Sequence, residues 1–383
     1  MFTTFDAPQR TPRATGLTRA LGLVFVCAVA VATLYPLAGW SPRGAGPFDF
    51  LFIGLPRFWT GFDLLSNLLA YLVLGLLLAL GWFERVPFLR TTITVGLACC
   101  ALSLSLEAMQ SYLPQRVPSL LDWLANSAGG FAGAALGALL DRAAHHQNWP
   151  NSWQPDRWYE EGPTSGWVLL LLWLATQLVP QRHLFASGQL QPVVQALLDA
   201  VLGSSSPDLS HALSRLWDGP APAAHGLAIE AAAVVCGVCV VGSLVFGLVH
   251  GSRRRIGVLA GVAMIAMGLR SIATQLVYGS DAPLAWLTPG AQGGLVVGIA
   301  LLYALDTLGV QARALAGAIC AVVGLLLVNL APEDPYFEST LAGVQTGQLV
   351  NLHGLLRVVA TIWPVLAIAW FSPRARRSSS GWL

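Results

Sequence analysis

About ten separate stretches of roughly 20 mostly apolar residues punctuate this chain, and no other feature restricts its fold as severely. They fall at 19–38, 64–83, 89–107, 121–140, 164–181, 226–249, 256–278, 286–306, 312–331 and 349–371. Each matches the hydrocarbon thickness of a bilayer when helical. Inside lipid every backbone polar group needs an internal partner, so only helices and closed barrels cross. The runs are continuous rather than alternating, which excludes the roughly ten-residue strands of a barrel. Composition agrees: 55% of residues are hydrophobic and 10% charged, where a soluble domain carries about a quarter. The expected fold is all-α, a polytopic transmembrane helical bundle of about ten spans. The fifth run is the weakest, because its apolar core from Trp167 to Leu178 is short and Pro180 follows.

Every basic residue is an arginine, so Schiff-base and general-base lysine chemistry is excluded. A net charge of +2 and the lack of a basic, aromatic-interleaved face argue against nucleic acid as a partner. Cys27, Cys99, Cys100, Cys236, Cys239 and Cys320 all lie in apolar runs. Thiolates are costly there, so Cys236-Gly-Val-Cys239 reads as buried thiols rather than a redox or metal pair. No metal site and no cofactor are expected. His145-His146 reads as a solvated pair.

Arginine bias in the loops sets orientation. With the N-terminus inside, the triplets Arg253/Arg254/Arg255 and Arg374/Arg376/Arg377 are cytoplasmic, and the acidic stretch Glu333 to Glu338 is external. Both termini are then cytoplasmic, and the protein is a multi-pass protein of the inner (cytoplasmic) membrane. The polar stretch after residue 140 divides the chain into a four-span module (1–145), a cytoplasmic linker (146–163) and a six-span module (164–383). Phe48, Phe50, Phe52, Phe58, Trp59 and Phe62, and the helically spaced apolar residues from Leu190 to Val201, suit the headgroup interface.

Three helix ends in the first module carry the informative polar residues. Asp63 and Asn67 open the second span, Glu107 and Gln110 close the third, and Asp122 and Asn126 open the fourth, with Arg116 in the short loop between. Spacings of three or four put each carboxylate beside a carboxamide on one helical face. The topology brings all three ends to the external surface, where such groups should face one another or a wet cavity. Behind them, Gly129, Gly133 and Gly137 form a small-residue ridge for close helix packing.

This order of motifs, ending in Asp122-x-x-x-Asn126-x-x-Gly129-Gly130, resembles the VanZ-like family over about residues 20–140. The resemblance implies a membrane protein of the cell envelope, in a glycopeptide-resistance or envelope-polysaccharide context. It sets no mechanism. The family pattern usually has more aspartates after the arginine, whereas Arg116 to Asp122 keeps one. Three chemistries fit the cluster: a site for a hydroxyl-rich or cationic headgroup, with membrane lipids or a lipid-linked envelope precursor as partner; acid/base catalysis by Glu107 and Asp122; or a polar network locking the helix ends through Arg116. No activated nucleophile is evident, which favours binding over catalysis.

A second cluster lies in the six-span module. Arg270 and Arg357 each sit about 12 Å below the external end of their spans, where a charge costs up to about 3 kcal/mol. His353 shares a face with Arg357. These arginines suit a phosphate or carboxylate held bidentately, or pairing with the carboxylates of the first module.

Overall fold

The computed structural model describes residues 12–35, 37, 39–42, 44, 46–54, 60–114, 116–146, 164–178, 184–185, 187–190, 223–278, 283–330 and 350–376. Within them the chain is all-helical. The α-helices are α1 (Pro12–Leu34), α2 (Gly61–Trp82), α3 (Phe88–Gln110), α4 (Leu120–His146), α5 (Thr164–Thr176), α6 (Ala223–Phe246), α7 (Ser252–Tyr278), α8 (Pro289–Asp306), α9 (Val310–Leu330) and α10 (Val350–Arg376). Nine of these are long and apolar enough to cross a membrane. The expected fifth span is the exception, since α5 is helical for 13 residues only. The expected headgroup residues Phe58 and Trp59, the apolar stretch 191–201, the acidic loop 333–338 and the linker 147–163 lie outside the described residues.

The described chain forms two compact units, Met1–Pro155 and Asp156–Leu383. In the first, α2 and α4 run parallel at close range. A Cβ on Gly129 would lie 2.2 Å from the carbonyl oxygen of Leu68, and one on Gly133 would lie 2.0 Å from that of Leu72. Gly137 faces Ala79 and Leu76, one turn further along. In lipid no hydrophobic force drives helices together, so contact depends on how closely their backbones approach. Only glycine permits this seam. Helix α3 lies antiparallel on α4, with Gly96 against Phe131 and Cys99 against Gly130. Helix α1 packs on α2 and α3 and completes a core around Tyr71, Leu74, Val95 and Cys99.

At one end of this unit the contacts are structural. Arg19 Nε donates to the Gly81 carbonyl at 2.6 Å, and buried Asp141 accepts from the Arg85 backbone N–H at 2.9 Å. Arg142 lies over the Phe88 ring.

The second unit is built around α6, against which α8 and α9 pack. Helix α8 runs parallel to α6, its Gly290, Gly294 and Gly298 facing Glu230, Val234 and Val238 in turn. Helix α9 runs antiparallel to α6, and α10 lies on α9 and α5. Helix α5 is sunk among its neighbours, with Gly166 against Leu248 and Trp370, and the Trp363 indole N–H donating to the Leu169 carbonyl. Arg255 reaches Asp306 at 2.7 Å, and both it and Arg313 lie over the Phe246 ring.

Candidate functional site

The three sequence-marked helix ends lie at the same end of the first unit. The start of α2 is fixed by Thr60, whose hydroxyl oxygen accepts the Asp63 backbone N–H at 3.1 Å while donating to Asp63 Oδ2 at 2.6 Å. This is a reciprocal cap of the Ser/Thr-x-x-acid type. Asp63 is exposed, and its acceptor capacity goes partly to the cap.

Glu107 is the deepest group of the cluster, at 2% exposure. Its Oε2 accepts the Ser119 backbone N–H at 2.9 Å, which ties the end of α3 to the turn that opens α4. The Asp122 carboxyl faces the Asn67 side chain and lies near Asp63 and Glu107. Asn126 Nδ2 donates to Ser103 Oγ at 3.0 Å in the buried interior, but its Oδ1 makes no hydrogen bond. The Tyr71 hydroxyl, also buried, approaches Ser103 and Glu107 without closing a hydrogen bond. Groups from α2, α3 and α4 thus meet at one place.

The remaining sequence-marked residues do something different. Gln110 Nε2 donates to the Thr33 carbonyl at 3.0 Å. Arg116 donates through Nε at 2.8 Å and Nη2 at 2.6 Å to the Tyr35 carbonyl. The last carbonyls of a helix lack intrahelical partners, so both side chains cap α1 from a neighbouring segment. Burial holds the Arg116 pKa below the ordinary guanidinium value. Gln110 and Arg116 therefore position α1 against the cluster.

In the second unit, Arg270 is buried on α7 and Arg357 is half-buried on α10. Helix α7 contacts α5 and α6, whereas α10 contacts α5 and α9. The two arginines thus lie on different helices, each of which contacts α5. His353 belongs to α10, but its side chain lies outside the described residues.

Several contributors were not anticipated: Tyr71, Ser103 and Ser119 in the first unit, and Glu230 in the second, whose carboxylate accepts from the Thr288 hydroxyl. Glu230 could have been found as the acid within the apolar run 226–249, because ionisable groups inside a span mark function or pairing. Tyr71 and Ser103 carry no such signal, being ordinary in membrane helices. Among the described residues no group of three or more His, Cys, Asp or Glu is placed to hold a metal ion.

Long apolar helices joined by short polar turns, with buried polar groups converging at helix ends, define a polytopic α-helical membrane protein. Its first unit carries a VanZ-like region, since residues 20–141 match the family described as VanZ/LLP1. No curated protein and no solved structure matches the chain.

Proposed function

We propose that the first unit binds a hydroxyl-rich or cationic headgroup, such as that of a lipid-linked envelope precursor, at the external face of the inner membrane. The observation that carries this reading is the buried set of unfilled hydrogen-bonding positions beside three neighbouring carboxyl groups. Asn126 Oδ1 and the Tyr71 hydroxyl have no partner, while Glu107, Asp122 and Asp63 share one neighbourhood. Buried polar groups are nearly always satisfied, and exceptions of this kind suit a ligand that supplies donors. Acceptors dominate, so sugar hydroxyls or an ammonium group are the matching chemistry. Arginine bias in the loops puts these helix ends outside.

The test is native mass spectrometry of the full chain purified in mild detergent, comparing wild type with Glu107→Gln, Asp122→Asn and Asn126→Leu. A co-purifying glycosylated or amino-headgroup lipid should be retained by wild type and lost by the variants at unchanged melting temperature. No retained lipid, or retention by all three variants, counts against the reading. Turnover of that lipid, abolished by Glu107→Gln, would instead favour acid/base catalysis by Glu107 and Asp122.

A further inference from the structure

One end of the second unit carries a dense excess of positive charge. It gathers the start of α5, the turn from α6 to α7, the junction of α8 with α9 and the last turns of α10. Trp370 lies 2.9 Å from where a Cβ on either Gly166 or Gly247 would sit, and Phe371 lies 2.7 Å from where one on Gly317 would. Among the described residues this end holds five arginines, Arg253, Arg254, Arg255, Arg313 and Arg374, against one carboxylate, Asp306. The flanking stretches 147–163 and 375–383 add Asp156, Glu160 and Glu161 against Arg157, Arg376 and Arg377, which leaves the excess unchanged.

Packing holds three of these arginines in place. Arg255 Nε donates to the Val249 carbonyl at 2.8 Å, and its Nη1 donates to Asp306 Oδ1 at 2.7 Å. Arg313 Nη1 stands 4.0 Å from the same carboxylate. Both guanidinium groups lie over the Phe246 ring, 5.5 and 5.9 Å from its centroid. Arg374 lies over the Trp370 ring and donates to the Trp370 carbonyl. Stacking on an aromatic face suits the planar guanidinium and limits its motion. A single carboxylate shared by two arginines cannot neutralise the set. Arg253 and Arg254 stand beside it, exposed on the first turn of α7.

The depth of the patch in the membrane names its partner. Ser252 begins one candidate span and Arg374 ends another, so the arginines stand at the level of phospholipid headgroups. Ile256 follows Arg255 and Val310 precedes Arg313 by three residues, and both are exposed, offering apolar surface to acyl chains. Clusters of this size at a membrane surface attract anionic lipid, each basic residue being worth about fivefold in affinity. Guanidinium groups also grip phosphate oxygens in pairs.

From these observations we infer that this end of the second unit binds the phosphate-bearing headgroup of an anionic phospholipid. Arg253 and Arg254 are its outer contacts, and Arg255, Arg313 and Arg374 supply the positive field around them. This site is independent of the one proposed in the first unit, and its ligand has the opposite charge.

The experiment is native mass spectrometry of the full chain in a neutral detergent, titrated with dioleoylphosphatidylglycerol or dioleoylphosphatidylcholine. Wild type is compared with the double variants Arg253→Gln/Arg254→Gln and Arg90→Gln/Arg142→Gln, the second of which removes the same charge from exposed positions of the first unit. Wild type should bind the glycerol lipid several-fold more tightly than the choline lipid. The first double variant should lose about 25-fold of that affinity at unchanged melting temperature, at about fivefold per arginine, and the second should bind like wild type. Arg254→Gln alone should lose about fivefold, and it carries the test if the double variant does not fold. Equal affinity for the two lipids, or an equal loss in both double variants, as expected of bulk charge alone, would overturn the inference. So would full competition by inorganic phosphate, the behaviour of a site for a soluble anion.

Discussion

Glu107 is buried and Arg116 half-buried, and although both are ionisable they perform separate tasks. The carboxylate of Glu107 accepts from a backbone N–H, and the guanidinium of Arg116 covers a backbone carbonyl. Substitutions should separate these roles. Glu107→Ala leaves the half-buried Ser119 N–H without its acceptor, at a cost of about 1 kcal/mol. Glu107→Gln keeps an acceptor and removes the repulsion with Asp122, so its melting temperature should equal or exceed wild type. Thermal unfolding in detergent checks both, and a Gln variant as unstable as the Ala variant would show that the charge itself stabilises the fold. Arg116→Ala removes two charge-assisted hydrogen bonds to Tyr35 and should cost about 1.5–3 kcal/mol. Arg116→Lys should recover part of that loss, because an ammonium can still reach the carbonyl without the guanidinium's two-nitrogen grip.

Helices here are held by closeness of approach more than by apolar matching. The seam between α2 and α4 depends on Gly129 and Gly133, each facing a carbonyl oxygen nearer than any Cβ contact allows. Gly133→Ala should force the helices apart and destabilise by about 1–3 kcal/mol. Gly261→Ala on α7, where a Cβ would meet nothing within 4 Å, should leave the melting temperature within error. Equal effects at the two positions would show that flexibility, not contact, is what these glycines supply. The ridge of small residues was legible in the sequence because its four-residue spacing survives any rotation of the helix. Its partner was not, since the carbonyls of Leu68 and Leu72 belong to backbone that every residue shares. The shortness of α5 was half legible. Pro180 and the short apolar core marked a weak span, but the hydrogen bonds of Asn329 to Leu190 and Gly188 and the contact of Phe185 with Gly237 depend on residues far apart in sequence.

For the whole molecule, orientation follows from arginine distribution and from whether the short fifth segment counts as a crossing. If it does, reporters fused after Arg142 and after Arg377 should both read cytoplasmic, and one within 333–345 should read external. Opposite readings after Arg142 and Arg377 would mean that the fifth segment turns back. The sequence by itself determined the all-helical membrane fold and the position of nearly every span, because length and apolarity against a bilayer of fixed thickness leave few alternatives. It also brought Asp63, Asn67, Glu107, Asp122 and Asn126 to one end of the first unit, since helical period and alternating span direction are local rules. Only the tertiary structure decided which partner each polar group takes. Arg116 serves the Tyr35 carbonyl, Gln110 serves that of Thr33, and Asn126 Oδ1 and Gln177 Oε1 are left over. The reason is physical: a side chain in apolar surroundings bonds to whatever polar atom lies within about 3 Å, and that atom is set by packing between helices rather than by spacing along one.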